Sequence, residues 1–173
     1  MVLRRYVVFS DLDEFLVPHG DQLANWSDLA RTLERPLRAG FQFLSAFFDP
    51  DNAEQVLRVK SGGGGGDGDP AADLVTMRAT RRSLHFSGVR TKCMVRPYDV
   101  FEAGIHHVSK PIWAHLAVER VDTTTAVLHH YRKCIGMYGM DCAGVVDDAT
   151  ATRYRDELTR AVSRATEELA NVL

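Results

Sequence analysis

Long apolar runs are missing from this 173-residue chain, and none approaches the roughly 20 residues that a membrane-spanning helix needs. The opening MVLRRYVVFSDLDEF also lacks the apolar stretch and cleavage site of a secretory leader, so the chain as written is expected to be soluble. Cysteine is scarce. Cys93, Cys134 and Cys142 are an odd number with no Cys-x-x-Cys pair, which argues against a zinc finger and against a full disulfide framework. No charge of one sign prevails either: 21 basic against 23 acidic residues give a net charge of −2, and no field favours nucleic acid or an anionic membrane. A small or neutral partner fits that balance better. What is present is an ordinary globular composition, 45% apolar and 25% charged, at a length suited to about one domain.

The run Arg5 to Ser10 is apolar, β-branched and aromatic, and reads as a buried strand ending at Asp11. A buried strand so near Met1 leaves no room for the units that flank a central strand, so the domain is expected to be truncated at its N-terminus. Trp26, Leu29, Ala30 and Leu33 form the stripe of a short amphipathic helix, with Asn25 or Ser27 as N-cap and Pro36 as its stop. Gly40 to Phe48 reads as a strand. Residues 49–70, with the glycine run Gly62 to Gly66, read as a flexible insertion loop inside one domain spanning 1–173. Alternation predicts half-buried strands over Val75–Thr80 and Val89–Arg96, and a further strand over Thr125–Arg132. Tyr154, Leu158, Ala161, Val162, Ala165, Leu169 and Val172 predict a C-terminal amphipathic helix behind Asp147 and Asp148, whose charges suit a helix N-terminus. The fold class expected is α/β, with a mixed sheet flanked by helices.

Asp11-Leu12-Asp13-Glu14-Phe15 follows the first strand directly. Residues two apart in an extended chain point the same way, so Asp11 and Asp13 would converge. Two carboxylates so close repel each other unless a cation or a shared proton intervenes, and hard oxygen donors select magnesium or manganese over zinc. Such an ion, with positions open to phosphate oxygens, would stabilise the charge on a departing nucleoside diphosphate. An Asp-x-Asp after a strand can also merely cap a turn. It equally opens phosphatases of the haloacid dehalogenase type, although their pattern continues with a small residue and a hydroxyl where this chain has Glu14 and Phe15. Val145-Val146-Asp147-Asp148 imitates their late acidic motif.

Histidine pairs stand at His106-His107 and His129-His130. His130, at the end of a predicted strand, is the favoured third ligand of an Asp-held ion, with His106, on a loop of unknown path, the weaker candidate. Arg90, Lys92 and Arg96 share one face of their strand, opposite its apolar side. That face is either solvated charge or a phosphate and sugar-hydroxyl site, and Arg132 is a second candidate grip for a diphosphate. For a chain that matures in the secretory pathway, Cys134 and Cys142 are the expected disulfide pair, joined by a turn that Gly136 and Gly139 permit; the alternative is that all three cysteines stay free, buried as small apolar groups.

Taken together, YVVFSDLDEFLVP, the Trp26-x-x-Leu29 helix, AGFQFLSAFF, RTKCMVRPYDVFEAGIHHVSKP and AVLHHYRKC resemble glycosyltransferase family 92, over most of residues 5 to 142. The resemblance implies a GT-A fold and a Golgi enzyme, lumenal and anchored by an N-terminal membrane helix that this chain lacks. It implies inverting transfer of a sugar, typically galactose, from a UDP-sugar to a glycan acceptor, with manganese (or magnesium) held at Asp11 and Asp13. The resemblance also implies an upstream nucleotide-binding half, expected to lie outside this sequence, and a non-catalytic remnant is the non-enzyme alternative. An inverting mechanism needs a general base near the acceptor hydroxyl; Glu14, Asp99 and Glu102 are the candidates, Glu14 first.

Overall fold

The computed structural model describes residues 6–50, 69–136 and 141–171. The glycine run Gly62 to Gly66 lies outside them. In chain order the elements are β1 (Val7–Val8), β2 (Glu14–Pro18), helix α1 (Trp26–Leu33), β3 (Arg38–Phe47), helix α2 (Val75–Arg78), β4 (Arg81–Ser83) and β5 (Ser87–Val95). They continue with β6 (Val100–Ala103), β7 (Val108–Pro111), β8 (Ala117–Arg120), β9 (Ala126–His130), β10 (Val145–Asp147) and helix α3 (Arg155–Ala170). The fold is α/β, as the sequence indicates, and the chain divides into two compact units: Met1–Ala46 with His85–His130 and Ile135–Cys142, and Phe47–Leu84 with Tyr131–Cys134 and Ala143–Leu173.

The first unit is built on a sheet of order β1-β5-β3-β9-β2, with β8 parallel to β3. In register, Leu16 on β2 faces Leu128 on β9, and Phe41 on β3 faces Met94 on β5. All four belong to one core with Phe43, Ala126 and Val121. Helix α1 forms where the apolar stripe predicts it. The Asn25 side chain accepts the Ser27 and Asp28 N–H groups at 2.8 and 3.1 Å, satisfying two donors of the first turn. Leu29 and Leu33 then pack into the core, while Trp26 stays half exposed and donates its indole N–H to the Leu16 carbonyl at 2.8 Å. The first strand differs from expectation. β1 is two residues long, pairs with β5 at the sheet edge, and leaves Val7 and Phe9 exposed, so it is not a buried interior strand.

The second unit pairs β4 with β10 in antiparallel register, Arg82 opposite Val146. Val75–Thr80, expected as a strand, contains α2 instead. Arg78 and Ala79 N–H groups donate to the Leu74 and Val75 carbonyls, and Leu74 and Met77, three apart, meet Ala71, Ala151 and Leu158. A six-residue alternation is too short to separate the two periods. Asp147 ends β10 beside Arg81, and Asp148, nearly buried, pairs with Arg82 at 2.9 Å and accepts the Thr150 N–H at the start of a 3-10 turn, Thr150–Tyr154, that runs directly into α3. In α3, Leu158 packs, but Leu169 is 65% exposed, so the apolar stripe is covered at its first turns alone. Cys134 and Cys142 are disulfide-bonded and Cys93 is free.

Candidate functional site

The acidic segment is a turn, not an extended strand end. The Glu14 N–H donates to the Asp11 carbonyl at 3.1 Å, the Glu14 carboxylate accepts the Asp11 N–H at 2.9 Å, and the Ser10 hydroxyl donates to the Glu14 carbonyl at 2.8 Å. The two aspartates therefore take different neighbours. Asp11 lies 3.2 Å from the Lys92 ammonium, and Asp13 lies 3.4 Å from His130 Nε2.

Glu14 sits between them. Its side chain has no solvent exposure, with Lys92 Nζ at 3.0 Å and His130 Nδ1 at 3.5 Å. The sheet register explains the histidine: Glu14 is directly opposite His130 at the end of the β2–β9 ladder, on the face that carries Leu16 and Leu128. Lys92 arrives from elsewhere. It stands opposite Phe43, on the face of β5 that carries Met94 into the core. Three strand spacings separate β5 from β2 along the sheet, roughly 14 Å if it were flat. A 3.0 Å ion pair across that span requires the sheet to curl around its core face, so the Glu14–Lys92–His130 cluster closes one end of the core.

That arrangement corrects several sequence readings. Lys92 and Arg96 do not form a solvated face or an open phosphate grip, since each is 3–4% exposed. Arg96 is held by the Tyr6 hydroxyl at 3.0 Å, Glu34 at 3.4 Å and the Arg35 carbonyl at 3.3 Å, tying β5 to the exit of α1. Lys92 remains at the site, although as the counter-ion of Glu14 and Asp11. Glu14, the first candidate for a general base, has its carboxylate enclosed between Lys92 and His130 and exposes none of it to solvent. His106 Nδ1 lies 3.1 Å from the Thr91 carbonyl, to which it donates, leaving Nε2 to accept from Arg90 at 3.3 Å. Both ring nitrogens are thus engaged away from Asp11 and Asp13. Arg132 is exposed and belongs to the second unit.

A cleft of about 310 Å³ opens beside the turn, between Phe9-Ser10-Asp11 and Gly104-Ile105, with Lys92 in its lining. Sequence reasoning missed its far wall. The hairpin β6–β7 carries it, and the glycine before the histidine pair is the signal that a chain reversal brings backbone close to the site.

On β5, Cys93 is part-buried, and desolvation pushes its thiol up to about 11 from 9.0, against a smaller opposing effect of the Val108 backbone. Two pH units leave roughly a hundredfold less thiolate than a free cysteine at pH 8. Iodoacetamide should therefore label Cys93 of the native protein slowly at pH 8 and progressively faster toward pH 11, as followed by mass spectrometry. Labelling at the free-cysteine rate at pH 8 would contradict this.

The first unit thus presents a carboxylate turn at the end of the β2–β9 ladder, beside a small cleft. The family model for glycosyltransferase family 92 matches residues 4–166, nearly the whole chain, and the chain belongs to that family. It is accordingly a glycosyltransferase by descent, with a sugar donor and a glycan acceptor as its partners. No curated protein matches the chain. Among the described residues no helix is long and apolar enough to cross a membrane.

Proposed function

We propose that the chain is the cation-holding part of an enzyme that moves a sugar, galactose in the family reading, from a UDP-sugar to a glycan acceptor with inversion. One observation carries the reading. The three carboxylates of the Asp11–Glu14 turn are met by one ammonium and one imidazole, which leaves an excess of negative charge at a partly open site. Asp11 and Asp13 are 66% and 45% exposed at their side chains, so their oxygens are open to a ligand, whereas Glu14 is spent on Lys92. Hard, solvent-facing carboxylates with negative excess fit manganese or magnesium, and His130, beside Asp13, is the third donor in reach. Bound there, the ion would neutralise the diphosphate as the sugar leaves. The chain's own residues set that up: Glu14 fixes the turn through the Asp11 N–H, and Lys92 keeps Asp11 directed at the cleft.

Maturation in the secretory pathway, on the lumenal side of the Golgi membrane, belongs to the same proposal. The Cys134–Cys142 disulfide supports it, because such bonds persist in oxidising compartments. For the phosphatase alternative nothing speaks, since Asp147 and Asp148 are engaged with Arg81 and Arg82.

Calorimetric titration of manganese and UDP tests the reading. Each should tighten the other's binding, and Asp13→Asn should weaken manganese at least tenfold, on the order of the loss seen when a ligand's support is removed. Unchanged manganese affinity in Asp13→Asn sinks the metal assignment. A chain that binds neither manganese nor UDP is a non-catalytic remnant.

A further inference from the structure

We propose that the tip of the β6–β7 hairpin, Gly104 to His107, is the acceptor-side wall of the cleft, where Ile105 and Phe9 hold the apolar face of a hexose ring beside Asp11. The inference rests on the glycosyltransferase reading and assigns the acceptor its place within it. Four features support it.

The tip is fixed before any ligand arrives. The Gly104 N–H donates to the His107 carbonyl at 2.8 Å, and the His106 carbonyl accepts from the Thr91 hydroxyl and from Gln42 Nε2 at 3.4 Å. The His106 ring adds its bonds to Thr91 and Arg90, so this histidine anchors the hairpin to β5. A Cβ at Gly104 would lie 3.1 Å from the Ser109 hydroxyl and 3.2 Å from the His107 carbonyl, tighter than ordinary contact, so the reversal is closely packed at this position. A wall ordered in advance loses little freedom on binding.

What that wall presents is apolar and open. Ile105 is 73% exposed and Phe9, across the cleft, 58%. Exposed apolar side chains facing each other over a concave surface mark a binding site more often than a bare surface does.

The same cleft is lined by Asp11 and Lys92. Apolar side chains beside the exposed Asp11 carboxylate match a hexose, which has a C–H-rich face and a rim of hydroxyls that can donate to it, while Lys92 holds Asp11 in place from beneath.

Size points the same way. About 310 Å³ is at the lower end of ligand pockets, room for a sugar ring and not for a whole nucleotide sugar.

The test is saturation-transfer NMR on the full chain with methyl β-glycosides of glucose, galactose and N-acetylglucosamine, first alone and then with UDP and manganese. At least one hexoside should receive saturation, keep it when UDP and manganese are added, and bind at least fivefold more weakly to Ile105→Asp and to Phe9→Ala. Both positions are exposed, so folding should survive, and Leu169→Ser serves as an exposed apolar control that changes nothing. The proposal is overturned if no hexoside binds the wild-type chain, if Ile105→Asp binds as well as wild type, or if UDP and manganese displace the hexoside, which would make the cleft the donor's. Failure of the underlying reading looks different: UDP and manganese then fail to bind at all, whatever the hexosides do.

Discussion

Replacing Lys92 by methionine is expected to destabilise the first unit by about 3–5 kcal/mol, the cost of stranding a buried charge after its partner is removed. Methionine keeps the length and apolar stem of the side chain, so the loss isolates the ammonium. Glu14 is the charge left behind: its carboxylate has no exposure and Lys92 is 3.0 Å away. The double variant Lys92→Met, Glu14→Gln should recover much of the loss, since neutralising both partners removes the stranded charge while the amide can still face the Asp11 N–H and His130. Urea denaturation of the two single variants and the double variant reads this directly. If Lys92→Met unfolds at the wild-type midpoint, the pair is not the closure of the core inferred from its burial.

Phe43→Ala should cost about 3–5 kcal/mol as well, through a cavity and not through charge. Phe43 is fully buried, sits in the main core, and stands across the β3–β5 ladder from Lys92. Emptying that position removes apolar bulk directly beside the ammonium-bearing residue, so thermal stability and site geometry should fall together. A melting-temperature scan combined with manganese titration separates the contributions. Manganese affinity should drop in Phe43→Ala at temperatures where the variant is still folded, whereas Leu29→Ala, in the same core beneath α1, should lower stability without touching affinity in the folded state. Equal affinity losses in both would mean that the core transmits to the site without preference for the Phe43 position.

Which parts of this could be read from the sequence depends on how local their causes are. Helix α1 was legible in full, because stripe, cap and stop lie within Asn25 to Pro36. Strands β3, β5 and β9 were legible as strands, and so was the acidic segment as the seat of the site. The direction of the side chains on β5 was not. Lys92 reads as solvated because its neighbours are Arg90 and Arg96, yet it is buried because Glu14 and Asp11, some eighty positions earlier, supply the charge that makes burial tolerable. Arg96 was misread for the same reason, its partners being Tyr6 and Glu34. The aspartates were expected on an extended chain, and the closing bond from the Glu14 N–H to the Asp11 carbonyl shows a turn that their spacing does not encode. His106 is decided by Thr91, a residue whose hydroxyl gives no sign in the sequence of which loop it will bind.

The register of β2 against β9 also governs how the protein comes into being. Glu14 meets His130 at the last pair of a ladder that joins an early segment of the chain to a late one. During synthesis the acidic turn leaves the ribosome long before its histidine, and β2 waits unpaired with Leu16 and Val17 uncovered until β9 emerges. Long-range closure of this kind slows folding in general and leaves apolar surface uncovered in the interval. It also means that a chain halted short of His130 carries the acidic residues and Lys92 but lacks the imidazole and the β9 partner that complete the site.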